Sequence, residues 1–285
     1  MNEAPARVLV LGADGMLGTA WLRLLAARGV SHAALVYPEL DITVAAHLDA
    51  LALDNDTLVV NCSGWTDVDG AEAHEAEATA VNGSGVGELA ARCAARGATL
   101  VHYSTDYVFD GDASTPYAVD EIQRPLSAYG RSKAAGERAL WAHGPRSLLV
   151  RTSWLYAPWG KNFVRTIAKL ARERDELKVV HDQRGRPTSA EHLAATTWAL
   201  LSRGTTGIVH VTDGDACSWY ELAAAIAQAV RPACVVRPCT TAEFPRPARR
   251  PPYSVLALDR AESLLSEMPS WQHNLADVLA RLEPE

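Results

Sequence analysis

The stretch Val8-Leu9-Val10-Leu11-Gly12-Ala13-Asp14-Gly15-Met16-Leu17-Gly18 decides the fold of this chain. A short apolar run that reads as a strand meets glycines at 12, 15 and 18, and an Ala/Leu-rich helical stretch covers 15–27. Each glycine answers a separate need. Gly12 permits a tight turn, Gly15 lets backbone N–H groups approach a pyrophosphate, and Gly18 lets the helix pack close to the sheet. Such a pattern alone is weak, but between a strand and a helix it is a strong signal for a dinucleotide-binding turn. A tight turn with no ligand is the alternative.

The same alternation continues down the chain. Strands are expected at 33–36, 57–61, 99–103 and 147–151, separated by helical stretches at 44–53, 71–95 and 128–141. Strands apolar on both faces and divided by helices predict a parallel sheet covered on both sides. A helix follows at 162–174, and the pattern then loosens. The segment 182–189 reads as a turn-rich loop, 193–201 and 219–230 as helices, 208–211 as a strand, and 231–253 as irregular and Pro-rich. The expected architecture is therefore α/β, a doubly wound parallel sheet with a smaller C-terminal lobe. Residues 1–150 would bind a dinucleotide and 151–285 would largely bind substrate, with segments around 177–215 able to serve either lobe.

Composition removes several classes of function. The 285 residues carry 27 Lys and Arg against 34 Asp and Glu, a net charge of −7 with no block of basic residues, which argues against a nucleic-acid partner. The short basic stretch 246–250 is interleaved with Pro and reads as a loop. With 48% apolar and 21% charged residues, global disorder is excluded. No apolar run approaches the roughly 18 residues of a membrane span, so no membrane partner is expected. The run 8–11 is too short for a signal peptide. Five cysteines, odd in number and without a CxxC, read as reduced thiols of a cytoplasmic protein.

Chemistry-bearing residues gather at strand ends. Asn61-Cys62-Ser63 closes a strand at the C-terminal edge, where open α/β sheets bind ligands. Near the end of the second strand stands Glu39, where an acid would hold a ribose 2′-OH and an Arg a 2′-phosphate. Arg28 lies near the preceding helix end, so NAD and NADP both stay open. Asn82, with Gly83, interrupts a helical stretch; it serves the cofactor or strand end, or is a plain irregularity. Tyr129-Gly130-Arg131-Ser132-Lys133 puts a phenol and an ammonium on one helix face. A phenol titrates near 10 in water, and a neighbouring ammonium would lower that toward neutrality. The bland alternative is a surface helix on which Lys133 pairs with Glu137. Tyr103-Ser104-Thr105-Asp106-Tyr107-Val108-Phe109-Asp110-Gly111 follows another strand, so its hydroxyls emerge at the same edge, ready to donate to a carbonyl oxygen or to cap the strand end.

The G-x-x-G-x-x-G spacing resembles that of the extended short-chain dehydrogenase/reductase superfamily. Together with Asn61–Glu72, Tyr103–Gly111, Tyr129–Lys133, Arg151–Tyr156, Asn162-Phe163 and Asp182–Thr188, the chain resembles the dTDP-4-dehydrorhamnose reductase family. The resemblance implies a Rossmann-type fold and reduction of a 4-keto sugar on a dTDP carrier, by NADPH or alternatively NADH. Carried over by position, Thr105, Tyr129 and Lys133 are the catalytic set. Tyr129 would supply a proton, Lys133 would tune it, and Thr105 would polarise the carbonyl. Gly12, Asp14, Gly15, Met16, Leu17, Asp41, Ile42, Asn61, Cys62, Ser63 and Asn82 would meet the cofactor, as would Tyr129 and Lys133. Asp41 is equally readable as a helix cap.

Val68, Asp106, Trp154, Gln183, Pro187 and Arg250 would meet substrate. For Trp154 the alternative is a core tryptophan, and for Arg250 a solvated loop. Trp65 stands where the family more often has a smaller or phenolic ring. Some members hold Mg²⁺ across a dimer, but one expected acid is Ala20 here and Glu191 alone makes no site. No metal is expected, and the oligomer stays open between monomer and homodimer. A dehydratase or epimerase is disfavoured because Tyr107 follows Thr105-Asp106 where dehydratases carry Glu. A non-catalytic NADP-binding regulatory subunit is the other rival. Which 4-keto sugar is used is not legible.

Overall fold

β1 (Arg7–Leu11) feeds α1 (Met16–Ala27) through the glycine turn, and β2 (His32–Leu35) and α2 (Ala45–Asp49) follow. The computed structural model describes residue 5 and residues 7–282. β3 (Thr57–Asn61) leads into α3 (Glu75–Thr79), α4 (Gly85–Arg96), β4 (Thr99–Thr105), α5 (Ala128–His143) and β5 (Ser147–Thr152). Then come β6 (Leu155–Tyr156), α6 (Phe163–Glu173), β7 (Glu176–Val180), β8 (Arg184–Gly185), β9 (Thr188–Ser189) and α7 (Ala190–Ser202). The chain ends with β10 (Gly207–His210), β11 (Cys217–Ser218), α8 (Trp219–Val230), β12 (Val235–Cys239), α9 (Asp259–Leu264) and α10 (Trp271–Leu279).

Six strands form one sheet in the order β10-β5-β4-β3-β1-β2, every pair parallel. The doubly wound parallel sheet read from the sequence is thus the observed fold. Alternate residues of β1 supply two cores. Val8 and Val10 join Trp21, Leu25 and Leu193 under α1 and α7, while Leu9 and Leu11 join Leu89 and Leu140 under α4 and α5. Strand order reverses between β1 and β3, so the connections leaving these two paired strands run to opposite faces of the sheet, the place at the C-terminal edge where such sheets take ligands. The sixth strand is late in sequence: the chain starts a second lobe and then returns to the first sheet at Gly207–His210.

The second lobe packs α6, α8 and α10 over a core that includes Ile167, Leu177, Leu222, Ile226 and Leu275. Its sheet is β7 paired in parallel with β12. β12 falls in the stretch expected to be irregular. Pro238 near its end hid it, although the alternation Glu176-Leu177-Lys178-Val179 was visible in its partner. Two more expectations need correction. The single helix at 71–95 is instead a short 3₁₀ turn, α3, a π turn at Ala80–Ser84 and α4. The loop at 182–189 contains β8 and β9, which tie it to β11 and β6. Among the described residues no helix is long and apolar enough to cross a membrane.

Candidate active site

The glycine turn is built as its residue types demand. Gly12 has φ +66°, and a Cβ there would stand 2.8 Å from the Ser63 amide nitrogen. A Cβ on Gly18 would lie 2.2 Å from the Gly12 carbonyl oxygen. So α1 starts in direct contact with the β1 turn, and that turn abuts Cys62-Ser63 at the end of β3. No side chain caps α1, its N-cap being Gly15, and its first turn holds no acid. Its leading N–H groups therefore stay open to an anion, the arrangement a pyrophosphate needs. Asp14 is exposed, Met16 is half-buried with its carbonyl accepting from Trp159 Nε1 at 3.1 Å, and Leu17 sits in the core. These residues fit a dinucleotide.

Around that turn the other candidates divide. Asn61 is buried, its Oδ1 accepting from Ser63 N at 3.0 Å and fixing the end of β3. Burial pushes the Cys62 thiol well above its usual range. Asp41 accepts from Thr43 N at 2.8 Å, closing a local turn, whereas the N-cap of the next helix is Val44, so the helix-cap reading does not hold. Ile42 is a core residue. Asn82 is fully buried in the π turn. It accepts from Trp65 N at 2.9 Å and donates to the Trp65 carbonyl at 3.0 Å and to Ser132 Oγ. It locks the 61–72 loop to α5, so the irregularity has a purpose.

α5 presents Tyr129 and Lys133. Its start is held by Ser127, whose hydroxyl accepts from Gly130 N at 3.1 Å, and by Glu72, which accepts from Ala128 N at 2.9 Å. Lys133 is buried at 6% exposure and donates to the Tyr103 carbonyl at 2.6 Å, near the C-terminal end of β4. Glu137 is not its partner. That carboxylate is buried in an ion pair with Arg151 of β5 at 2.7 Å and accepts from Gln123 at 2.6 Å. Tyr129 is half-buried, lies edge-on to Tyr107 at 5.7 Å, and has the Thr105 hydroxyl near its own. Tyr129 thus faces the end of β4 at Thr105 and Tyr107, and Lys133 reaches the same strand at Tyr103.

The expected acidity of Tyr129 is corrected by this geometry. Burial raises its pKa to about 12, opposed by the polar Thr105 hydroxyl nearby, with the Asp106 charge raising it further. Lys133 is turned toward the strand carbonyl, and burial lowers its own pKa to about 8, opposed by Glu137. Thr105 donates to Asp106 Oδ1 at 3.0 Å and accepts from Tyr107 N at 3.2 Å. Asp106 is 1% exposed, and burial lifts its pKa to about 6.

The substrate candidates come from segments of both lobes. Val68 is half-buried in the 61–72 loop. Arg250 is no solvated side chain: it makes a two-pronged pair with Asp69 at 3.0 and 3.1 Å, and Arg246 joins at 2.6 Å. Burial raises the Asp69 pKa, but Arg250, the Ala248 amide and Arg246 outweigh it and hold the carboxyl at about 2. Gln183 is buried and donates to Thr241 Oγ1 at 2.9 Å, and the Pro187 carbonyl accepts from Asp213 N at 3.2 Å. Trp154 is half-buried and stacks on Trp219 at 3.6 Å between ring centroids. Glu191 pairs with Arg281. Sequence reasoning missed Trp219, Gly185 and the Glu137–Arg151 pair, because nothing local marks a partner that comes from another element.

A parallel sheet with an open anion-binding helix start, and a Tyr–Lys helix beside it, defines a dinucleotide-dependent enzyme of the extended short-chain dehydrogenase/reductase type. Residues 6–283 match the family described as RmlD substrate binding domain, and the chain belongs to that family. It is 40% identical to dTDP-4-dehydrorhamnose reductase of Burkholderia thailandensis over 94% of this chain and 96% of that protein. It is 42% identical to a probable dTDP-4,6-dihydroxy-2-methyloxan-3-one 4-ketoreductase of Streptomyces antibioticus, over 98% and 97%. The crystal structure of dTDP-4-dehydrorhamnose reductase from Bacillus anthracis in complex with NADP superposes with TM-score 0.92 at 33% identity, covering 96% of this chain and 99% of that one.

Proposed function

We propose that this protein reduces the 4-keto group of a dTDP-4-keto-6-deoxysugar, dTDP-4-dehydro-L-rhamnose or a close relative, using NADPH, with NADH as the weaker alternative. The observation that carries the reading is the convergence of Tyr129, Lys133 and Thr105 at the sheet edge that also carries the glycine turn. Bound there, the reduced nicotinamide supplies hydride. The protein's part is to orient the sugar and deliver a proton. A phenol held near 12 stays protonated at neutral pH, which suits a donor to a nascent alkoxide. Thr105 swings its hydroxyl from Asp106 to the carbonyl oxygen, and Lys133 anchors the end of β4 and a cofactor ribose.

The six-stranded lobe holds the dinucleotide in this scheme, and the sugar nucleotide lies at the seam, with Arg250 toward the diphosphate and Trp154 and Asp106 toward the sugar. Tyr107 occupies the place where elimination would need an acid, and its ring is used against Tyr129, which favours reduction over dehydration. The five cysteines are all free, which supports a reducing, cytoplasmic setting. Tyr129→Phe tests the reading. With NADPH and dTDP-4-keto-6-deoxyhexoses, kcat should fall by about 10²–10⁴ while NADPH binding persists. Undiminished turnover would overturn it, as would wild-type protein inert to every such sugar.

A further inference from the structure

Trp154 is held in a conformation that its own backbone resists. It has φ +48°, in the left-handed region that a bulky residue avoids, and such strain persists only where the surroundings over-determine it. Those surroundings are visible. The loop between β8 and β9 braces the backbone on either side: Ser153 Oγ donates to the Arg186 carbonyl at 2.7 Å, Thr188 Oγ1 to the Ser153 carbonyl at 2.6 Å, and Thr188 N to the Trp154 carbonyl at 3.2 Å. The ring is fixed too. Trp219 covers one face, nearly coplanar at 10°, and is itself backed by Phe163 at 4.5 Å. Gly185 lies against the ring so closely that a Cβ there would stand 2.6–2.8 Å from its Cε2, Cζ2 and Nε1 atoms.

The two fixing residues are coupled. Gly185 of β8 pairs directly with Cys217 of β11, and Trp219 begins the helix two residues on. That helix is capped by Ser218 and Glu221, each bonding the other's backbone. One antiparallel pairing in the second lobe therefore sets both surfaces against a ring that leaves the main sheet after β5. We propose that Gly185 and Trp219 are positioning residues that fix the Trp154 indole and so set which sugar ring the pocket accepts. This rests on the reading of Trp154 as the sugar platform. With Trp219 stacked on the ring and Gly185 packed against its Cε2–Cζ2–Nε1 side, the sugar meets what the two leave open, and loosening Trp219 alters sugar recognition without touching the proton donor.

The test uses Trp219→Phe, Trp219→Ala and Gly185→Ala in the full chain, each measured two ways. In steady-state assays with NADPH and a dTDP-4-keto-6-deoxyhexose, Trp219→Ala and Gly185→Ala should raise KM about three- to tenfold. Inhibition by dTDP alone should be unchanged, kcat nearly so, and Trp219→Phe should recover most of the loss. A KM that does not move, or a parallel weakening of dTDP, overturns the assignment. The second readout needs no turnover. With 5-fluorotryptophan incorporated and the Trp154 resonance assigned from Trp154→Phe, the signal should move toward the solvent-exposed position in Trp219→Ala and shift in Gly185→Ala. An unmoved resonance overturns the fixing role even if wild-type protein reduces no such sugar, an outcome that would separately refute the functional reading.

Discussion

Burial moves the pKa values of Tyr129 and Lys133, the pair proposed to carry the chemistry, in opposite directions. A buried phenol resists becoming an anion, while a buried ammonium resists staying a cation. The phenol near 12 adds no titration at ordinary pH, whereas Lys133, near 8, loses its charge as pH rises past that value. If the charged Lys133 is needed, kcat/KM should fall above about pH 8, tenfold per unit at the limit. A profile of kcat/KM that stays level to about pH 10 would show that the ammonium is dispensable. Spacing put the two on one helix face, and the family resemblance gave that face its expected role. The direction of the Tyr129 shift was beyond reach, since it depends on what surrounds the ring.

At the level of elements, α5 matters most, because its placement decides where Tyr129 and Lys133 stand. Its contact with the sheet contains the Glu137–Arg151 pair, 1% and 2% exposed, with Arg151 also donating to the Val119 carbonyl at 2.9 Å. Removing one member leaves the other charge buried and unpaired. Glu137→Ala should therefore cost about 3–5 kcal/mol in urea unfolding. Replacing both Glu137 and Arg151 by apolar residues of similar volume should restore much of that loss. A single substitution within about 1 kcal/mol of wild type would refute this account. The sequence offered Lys133 as a surface partner for Glu137, since helical spacing cannot show which strand lies beneath.

Over the whole molecule, Asp213 joins the lobes. Fully buried, it accepts from Tyr156 Oη at 2.8 Å and from Asn274 Nδ2 at 2.7 Å, and it meets His192 Nδ1 at 2.7 Å and the Ser189 amide. Its partners come from β6, α10, α7 and β9. Asp213→Ala strands several buried donors, so unfolding stability should drop by about 3–5 kcal/mol. The same substitution should also weaken dTDP-sugar binding more than NADPH binding, because the seam lies beside this residue. Equal effects on the two ligands would place the damage elsewhere. Asp213 has no motif around it, and only the meeting of four elements shows its role.

The order of the strands through β5 and the glycine turn between β1 and α1 were settled by local pattern, while the break in the helical stretch 71–95 was not. Periodicity and glycine placement act over a few residues, and those signals survive in any context. Tertiary structure alone decided the rest: the return of β10 to the first sheet, the pairing of β7 with β12 and the fixing of Trp154 by Trp219. It also decided the partners of Glu137, Arg250 and Asp213. Each of these joins residues far apart in the chain, and which buried charge or ring finds which partner is settled by packing the whole chain at once.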